Sequence, residues 1–186
     1  WQDRADRVLQ RAQRSQGGAA VLFLDLDHFK LVNDRHGHLA GDRVLSSVAE
    51  ALRAEVRDND LVGRFGGEEF VIMLPGHDGA GYDRAELEAV ADRIRRRVDA
   101  LDVDVATPDG PLTVGDLSVS VGGATFPDDA ADLDGLLEVA DSALYAAKRA
   151  GRNAVRMGLH LHSAQQSSPS WAAGEGRSTP RHRSLG

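Results

Sequence analysis

Residues 19–24 form a near-continuous apolar run that ends in Asp25-Leu26-Asp27. An unbroken run of this length reads as a strand covered on both faces. Strand alternation sends Asp25 and Asp27 to the same face. Upstream, Val8, Leu9 and Ala12 lie along one side of the charged stretch 3–15, a short amphipathic helix ended by Gly17-Gly18. Residues 28–38 are polar and irregular, with Asn33-Asp34 and Gly37 as turn signals. Leu45, Val48, Ala49, Leu52 and Val56 then make the stripe of a helix over 39–56. Leu87, Val90, Ala91, Ile94, Val98 and Leu101 mark a second. Leu133, Leu136, Leu137, Ala140, Ala143, Leu144 and Ala147 mark a third, capped near Asp132 and stopped at Gly151. Short strands are expected over 102–117 around Pro108-Asp109-Gly110, over 117–126 and over 153–157. Helices interleaved with strands predict an α/β (α+β) fold, a central mixed sheet flanked by helices.

Between the first two core helices lies Arg64-Phe65-Gly66-Gly67-Glu68-Glu69-Phe70, with apolar residues on both sides. Two glycines between two strand signals predict a tight hairpin, with Glu68 opening its second strand. If that strand neighbours the one ending at Asp25, Asp25 and Glu68 meet at one sheet edge. Two like charges about 5 Å apart repel by about 3 kcal/mol at an effective dielectric near 20. Such a pair stays in solvent, or persists because one member is protonated, because an Arg or Lys bridges it, or because a divalent cation sits between. An all-oxygen donor set favours Mg²⁺ or Mn²⁺.

The segment His28-Phe29-Lys30 follows the strand end, where successive backbone N–H groups can face an anion. Lys148 and Arg152, four apart on one helix face, either complement a helix C-terminus or bind phosphate. Asn33 and Asp42 are either cap residues or the amide and carboxylate that read a guanine edge. No Gly-x-x-x-x-Gly-Lys-Ser/Thr loop is present.

Composition narrows the classes. The 186 residues suffice for one domain with a substantial core. With no cysteine there is no thiolate chemistry and no disulfide frame. A formal charge of −7 and a pI near 5.4 argue against nucleic-acid binding through a basic surface. No apolar run reaches the roughly 20 residues of a membrane span, so a cytoplasmic domain without membrane contact is expected, in a parent that could itself be membrane-anchored. From residue 158 the composition turns to Ser, Gly, Pro, Arg and His, which predicts a folded unit over 1–157 and a disordered tail over 158–186.

Asp25-Leu26-Asp27-His28-Phe29-Lys30, Asn33-Asp34, Gly37-His38, Gly41-Asp42 and Gly66-Gly67-Glu68-Glu69-Phe70 together resemble the GGDEF family of diguanylate cyclases. Residues 118–123, Ala140-Asp141, Leu144-Tyr145, Ala147-Lys148 and Gly151-Arg152-Asn153 extend the likeness. The resemblance implies a fold like the adenylyl cyclase and polymerase palm core, and condensation of two GTP into cyclic di-GMP plus two pyrophosphates. It implies two Mg²⁺ (or Mn²⁺) ions per GTP half-site. They would be held by Asp25, the Leu26 carbonyl and Glu68, with Glu69 as a further ligand. Glu68 would also assist deprotonation of the attacking 3′-hydroxyl. It places Asn33 and Asp42 on guanine, His38 beside the nucleotide, and the backbone of His28, Phe29 and Lys30 with Lys148 and Arg152 on the triphosphate. Gly66 and Gly67 would let the hairpin approach the nucleotide. One chain binds one GTP, so a transient antiparallel homodimer is implied. Arg57-Asp58-Asn59-Asp60 resembles the family's inhibitory product site, with Arg93 as a contributor. The family signature usual before the first helix is absent, and an upstream sensory or dimerising domain is expected. Gly123 replaces a usual aliphatic residue, at a modest loss of packing. The alternative reading is a catalytically silent receptor for cyclic di-GMP or GTP.

Overall fold

The strand β1 (Ala19–Leu26) is buried along its whole length and forms the middle of a five-stranded sheet. The computed structural model describes residues 1–76, 80–107 and 110–158. The other elements are α1 (Gln2–Arg14), α2 (Phe29–His36), α3 (His38–Glu55), β2 (Leu61–Gly66), β3 (Glu69–Pro75), α4 (Arg84–Asp99), β4 (Val103–Thr107), β5 (Gly110–Val114), β6 (Val119–Phe126), α5 (Leu133–Arg149) and β7 (Val155–Met157). The sheet order is β2-β3-β1-β6-β7. β1 is antiparallel to β3 and β6, and β7 joins β6 in parallel. β4 and β5 form a separate antiparallel pair. The turn expected at Pro108 and Asp109, and the disordered tail expected from 158, lie outside the described residues except for Gly110 and Gly158.

Alternation along β1 divides the core. Ala20, Leu22, Leu24 and Leu26 face the stripes of α3 and α4, including Val44, Val48, Leu87 and Ile94. Ala19, Val21 and Phe23 face α1 and α5 through Leu9, Leu136, Ala140 and Leu144. Burying both faces explains why β1 reads as a continuous apolar run rather than an alternating one. Asp83 and Asp132 cap α4 and α5, accepting from the Glu86 and Gly135 amides at 2.6 and 2.8 Å.

Three expectations need correction. Residues 29–36 are helical: Phe29 is buried, Val32 is partly buried against the core, and Lys30 pairs with Asp34 at 2.6 Å. Eight residues with one short apolar edge give too weak a period to stand out beside the turn-forming Asn33-Asp34. The packing expected to be lost at Gly123 is restored, because the Met157 thioether occupies the space where a Cβ would meet sulfur at 2.5 Å. Gly158 belongs to the folded body. It is buried, and its N–H donates to the Gly123 carbonyl at 2.8 Å while its own carbonyl accepts from Arg84.

Gly122 faces the other way. A Cβ there would sit 2.0 Å from the Ala140 carbonyl oxygen and 2.3 Å from the Leu144 nitrogen. These are backbone atoms of α5, which cannot yield by rotamer change, so this glycine sets how closely α5 lies on the sheet. Gly122→Ala is expected to destabilise the fold by about 1–3 kcal/mol, read as a lower midpoint in urea unfolding with an unchanged slope; an unaltered midpoint would contradict the close approach.

Candidate functional site

The antiparallel register of β1 and β3 places Asp25 opposite Glu69. The Leu26 N–H donates to the Glu68 carbonyl at 3.2 Å. The two acidic segments that lie far apart in sequence therefore meet at one sheet end. Glu68 lies in the hairpin turn, and β3 begins at Glu69 rather than at Glu68 as expected. The reason is a register shift between Arg64 and Gly66, which takes Phe65 out of the ladder and moves the two-residue turn one position on, to Gly67 and Glu68. Gly67 takes a φ of +37°, and Arg64 clasps its carbonyl through Nε at 2.8 Å and a terminal nitrogen at 2.5 Å. The displaced Phe65 ring packs edge-on against Phe23 with centroids 5.0 Å apart.

Asp25 is buried, and a buried carboxylate needs a partner. Lys148, in the last turn of α5, supplies it at 2.8 Å. Glu69 feels both the burial and the crowding. Burial is the main cause that raises its carboxyl above the ordinary range. The Asp25 charge comes next, Lys148 opposes, and Asp141 and Glu68 add to the rise.

Arg152 does not share a helix face with Lys148. α5 ends at Arg149, and Gly151, Arg152 and Asn153 all take positive φ values of 114, 66 and 42°. The turn redirects the chain at once toward β7, so the four-residue spacing loses its helical meaning.

Around β1, His28 takes a left-handed conformation and caps α2, leaving Phe29 and Lys30 in its first turn. Asn33 sits in the last turn of α2 against α3. A Cβ on Gly41 would lie 1.9 Å from the Asn33 Oδ1 and 3.1 Å from the Phe29 ring. Gly41 thus lets the two helices touch and brings Asn33 beside Asp42, a contact role that no local pattern signals. Asp42 is exposed and lines a groove of about 740 Å³ between α3 and β2 with Arg53, Gly63, Arg64 and Phe70. His38 is exposed at the start of α3.

Arg57 and Asp60 form a separate feature. The Asp60 side chain is turned inward: it is buried, and its Oδ2 accepts from the Arg57 backbone N–H at 2.7 Å. It closes its own turn instead of standing free as an acceptor. Arg93 lies nearby, donating to the Glu55 carboxylate at 3.1 Å and to its carbonyl at 2.8 Å. Burial raises the Asp60 carboxyl above its ordinary range, against the Arg57 N–H bond and the positive charges of Arg57, Arg53 and Arg93.

A family model described as "Diguanylate cyclase, GGDEF domain" matches residues 1–154. The chain belongs to the GGDEF family of diguanylate cyclases. It is 36% identical over 162 residues to the diguanylate cyclase TpbB of Pseudomonas aeruginosa, a match that covers 84% of this chain and 34% of TpbB. The GGDEF chain therefore spans about a third of the length of that relative. The solved GGDEF domain of TpbB superimposes with a TM-score of 0.75 at 37% identity, covering 85% of this chain and 92% of that one. The GGDEF domain of DgcB from Caulobacter crescentus, solved in complex with c-di-GMP, gives 0.72 at 31% identity, covering 84% of each.

The raised Asp60 carboxyl makes a pH prediction. The folded chain keeps this proton at pH values where the unfolded chain, near 3.8, has lost it. Its contribution is complete below that value and is lost as pH rises through the higher folded one. Relative to Asp60→Asn, which keeps an acceptor for the Arg57 N–H, the unaltered chain should lose stability from pH about 4 toward neutrality. Urea unfolding of both proteins across that range checks it; a difference that grows in the opposite direction contradicts the burial argument.

Proposed function

We propose that this chain condenses two molecules of GTP into cyclic di-GMP, releasing two pyrophosphates. The observation that carries the reading is the pairing of Asp25 with Glu69, beside Glu68 and under Lys148. Relatives named as diguanylate cyclases support it. The acidic end of β1 takes the triphosphate with its divalent ions, and residues 1–158 are the catalytic unit.

The residues fit Mg²⁺ or Mn²⁺. Among the described residues no group of three or more acidic or histidine side chains forms a ready-made cage. Mg²⁺ typically asks for less, one or two carboxylates with the rest supplied by phosphate and water. Asp25, Glu68 and Glu69, with the Leu26 carbonyl, offer hard oxygen donors only, and the raised Glu69 carboxyl marks a place where negative charge is in excess. When bound, such ions polarise the α-phosphate and acidify the 3′-hydroxyl.

The chain's own residues do the rest. Glu68, on the turn, accepts the 3′-hydroxyl proton. Lys148 already sits on an anion, the Asp25 carboxylate, and serves the triphosphate from the same position. Arg152 and the first-turn N–H groups of α2 at Phe29 and Lys30 complete that cradle. Gly66 and Gly67 carry no side chains at the end of β2 and the start of the turn, so a nucleotide can lie against the backbone there. Asn33 and Asp42 read the guanine, with the groove beside Asp42 as its slot and His38 at the rim. A single chain offers one such half-site, so turnover needs two chains facing each other antiparallel. An upstream sensory or dimerising region would control that encounter. No described helix is long and apolar enough to cross a membrane, and a cytoplasmic site of action follows from the substrate. Arg57 and Arg93 bind the product and hold turnover down, with Arg57 forking onto a guanine or a phosphate. The inward Asp60 then holds the turn that presents Arg57.

Glu68→Gln is expected to lower cyclic di-GMP formation from GTP and Mg²⁺ by about 100-fold or more without changing the fold. Undiminished turnover in that variant refutes the assignment. Fusion to a leucine zipper is expected to raise turnover by bringing half-sites together. Arg57→Ala is expected to raise the cyclic di-GMP concentration needed for half-inhibition at least tenfold while initial rates persist. Unchanged inhibition would remove the product site from this loop.

A further inference from the structure

Asp27 has no part in the site just described, yet it carries the most heavily bonded buried carboxylate beside it. Its Oδ1 accepts from the Ser120 hydroxyl at 2.8 Å. Its Oδ2 accepts from the Ser118 hydroxyl at 3.1 Å and from the Asn153 backbone N–H at 2.9 Å. Its own N–H donates to the Ser118 carbonyl at 2.9 Å. Only 8% of the residue is exposed.

The partner segment is strained. Gly151, Arg152 and Asn153 all lie at positive φ, a conformation that L-residues with a Cβ adopt reluctantly. Such a run persists only where its surroundings over-determine it. The Gly151 and Arg152 N–H groups donate back into α5, to the Lys148 and Ala147 carbonyls at 3.4 and 3.3 Å. The Asn153 N–H points the other way, onto the Asp27 carboxylate. The Asn153 side chain fastens the turn from the other side, with Nδ2 on Asp99 at 2.8 Å and Oδ1 taking Arg95 at 2.9 Å.

One strand end thus holds the C-terminal end of α5 at two points. Asp25 takes the Lys148 side chain and Asp27 takes the Asn153 amide, with Arg152 on the turn between them. We propose that Asp27 is the positioning residue of the phosphate-binding turn: it fixes Arg152 and Lys148 relative to Asp25, and through them sets GTP affinity. This rests on the cyclase reading above.

Binding of 3′-deoxy-GTP with Mg²⁺, followed by titration calorimetry, tests it, because this nucleotide lacks the attacking hydroxyl and reports affinity without turnover. Asp27→Ala is expected to weaken binding at least tenfold, and Asp27→Asn, whose amide oxygen still reaches the Asn153 N–H, to restore most of it. In the turnover assay the alanine variant should raise KM for GTP more than it lowers kcat. In an Arg152→Ala background the same Asp27→Ala change should cost less than threefold, because Arg152, which neighbours the Asn153 amide that Asp27 holds, is gone and Lys148 keeps its own contact with Asp25. Asp27→Ser leaves a hydroxyl beside Ser118 and Ser120 but is too short to reach Asn153; it carries the same test should the alanine variant not fold. An equal loss in both backgrounds, or affinity unchanged within twofold, overturns the positioning role while leaving the cyclase reading intact. Failure of the unaltered chain to bind 3′-deoxy-GTP overturns both.

Discussion

The antiparallel register between β1 and β3 is the constraint on which the rest depends. It sets Asp25 opposite Glu69 at the end of a strand buried along its whole length. Carboxylates so placed repel one another, and desolvation sharpens the cost. The fold offsets that cost by delivering Lys148 from the end of α5, and it leaves Glu69 with a raised carboxyl. A sheet end that accumulates negative charge under a single lysine is suited to polyvalent cations and their phosphate partners, in keeping with a GGDEF domain.

Close approach of backbones sets the geometry around that charge. Gly122 lets α5 lie directly on β6, so its last turn falls within reach of Asp25. Gly41 lets α2 touch α3, which sets Asn33 against the residue that precedes Asp42. In both places the missing side chain does the positioning, and the functional groups follow from where the helices come to rest. Asp27 adds a directed restraint, since it grips a turn whose backbone would not hold that shape unaided.

The Arg57–Asp60 turn is mechanically continuous with the groove. Arg53 donates to the Asp60 carbonyl at 3.2 Å and to the Val62 carbonyl at 3.4 Å, and it also lines the groove with Asp42 and Arg64. β2 then runs from Leu61 into the turn that bears Glu68. A ligand held by Arg57 would therefore press on the same strand that carries the hairpin, without a distant relay.

Much of this was legible in the chain itself. The continuous run of β1, the stripes of α3, α4 and α5, the hairpin glycines and the cap at Asp132 follow from local periodicity and backbone preference, which act over a few residues. The segments bearing Asp25, Asn33, Asp42 and Glu68 were recognisable for the same reason, as short motifs. Local patterns miscarried where long-range packing made the decision. α2 forms because Phe29 finds the core, the Lys148–Arg152 spacing breaks because the chain must turn toward β7, and Met157 fills the gap at Gly123 from another strand. Asp60 turns inward because burial gives it an N–H partner in its own loop. That Asp25 faces Glu69, that Lys148 neutralises it and that Asp27 holds Asn153 from 126 residues away are products of tertiary structure alone. Periodicity encodes which face of an element is buried, whereas the partners of Asp25 and Asp27 depend on which elements pack together, and no short window of sequence contains both members of those pairs.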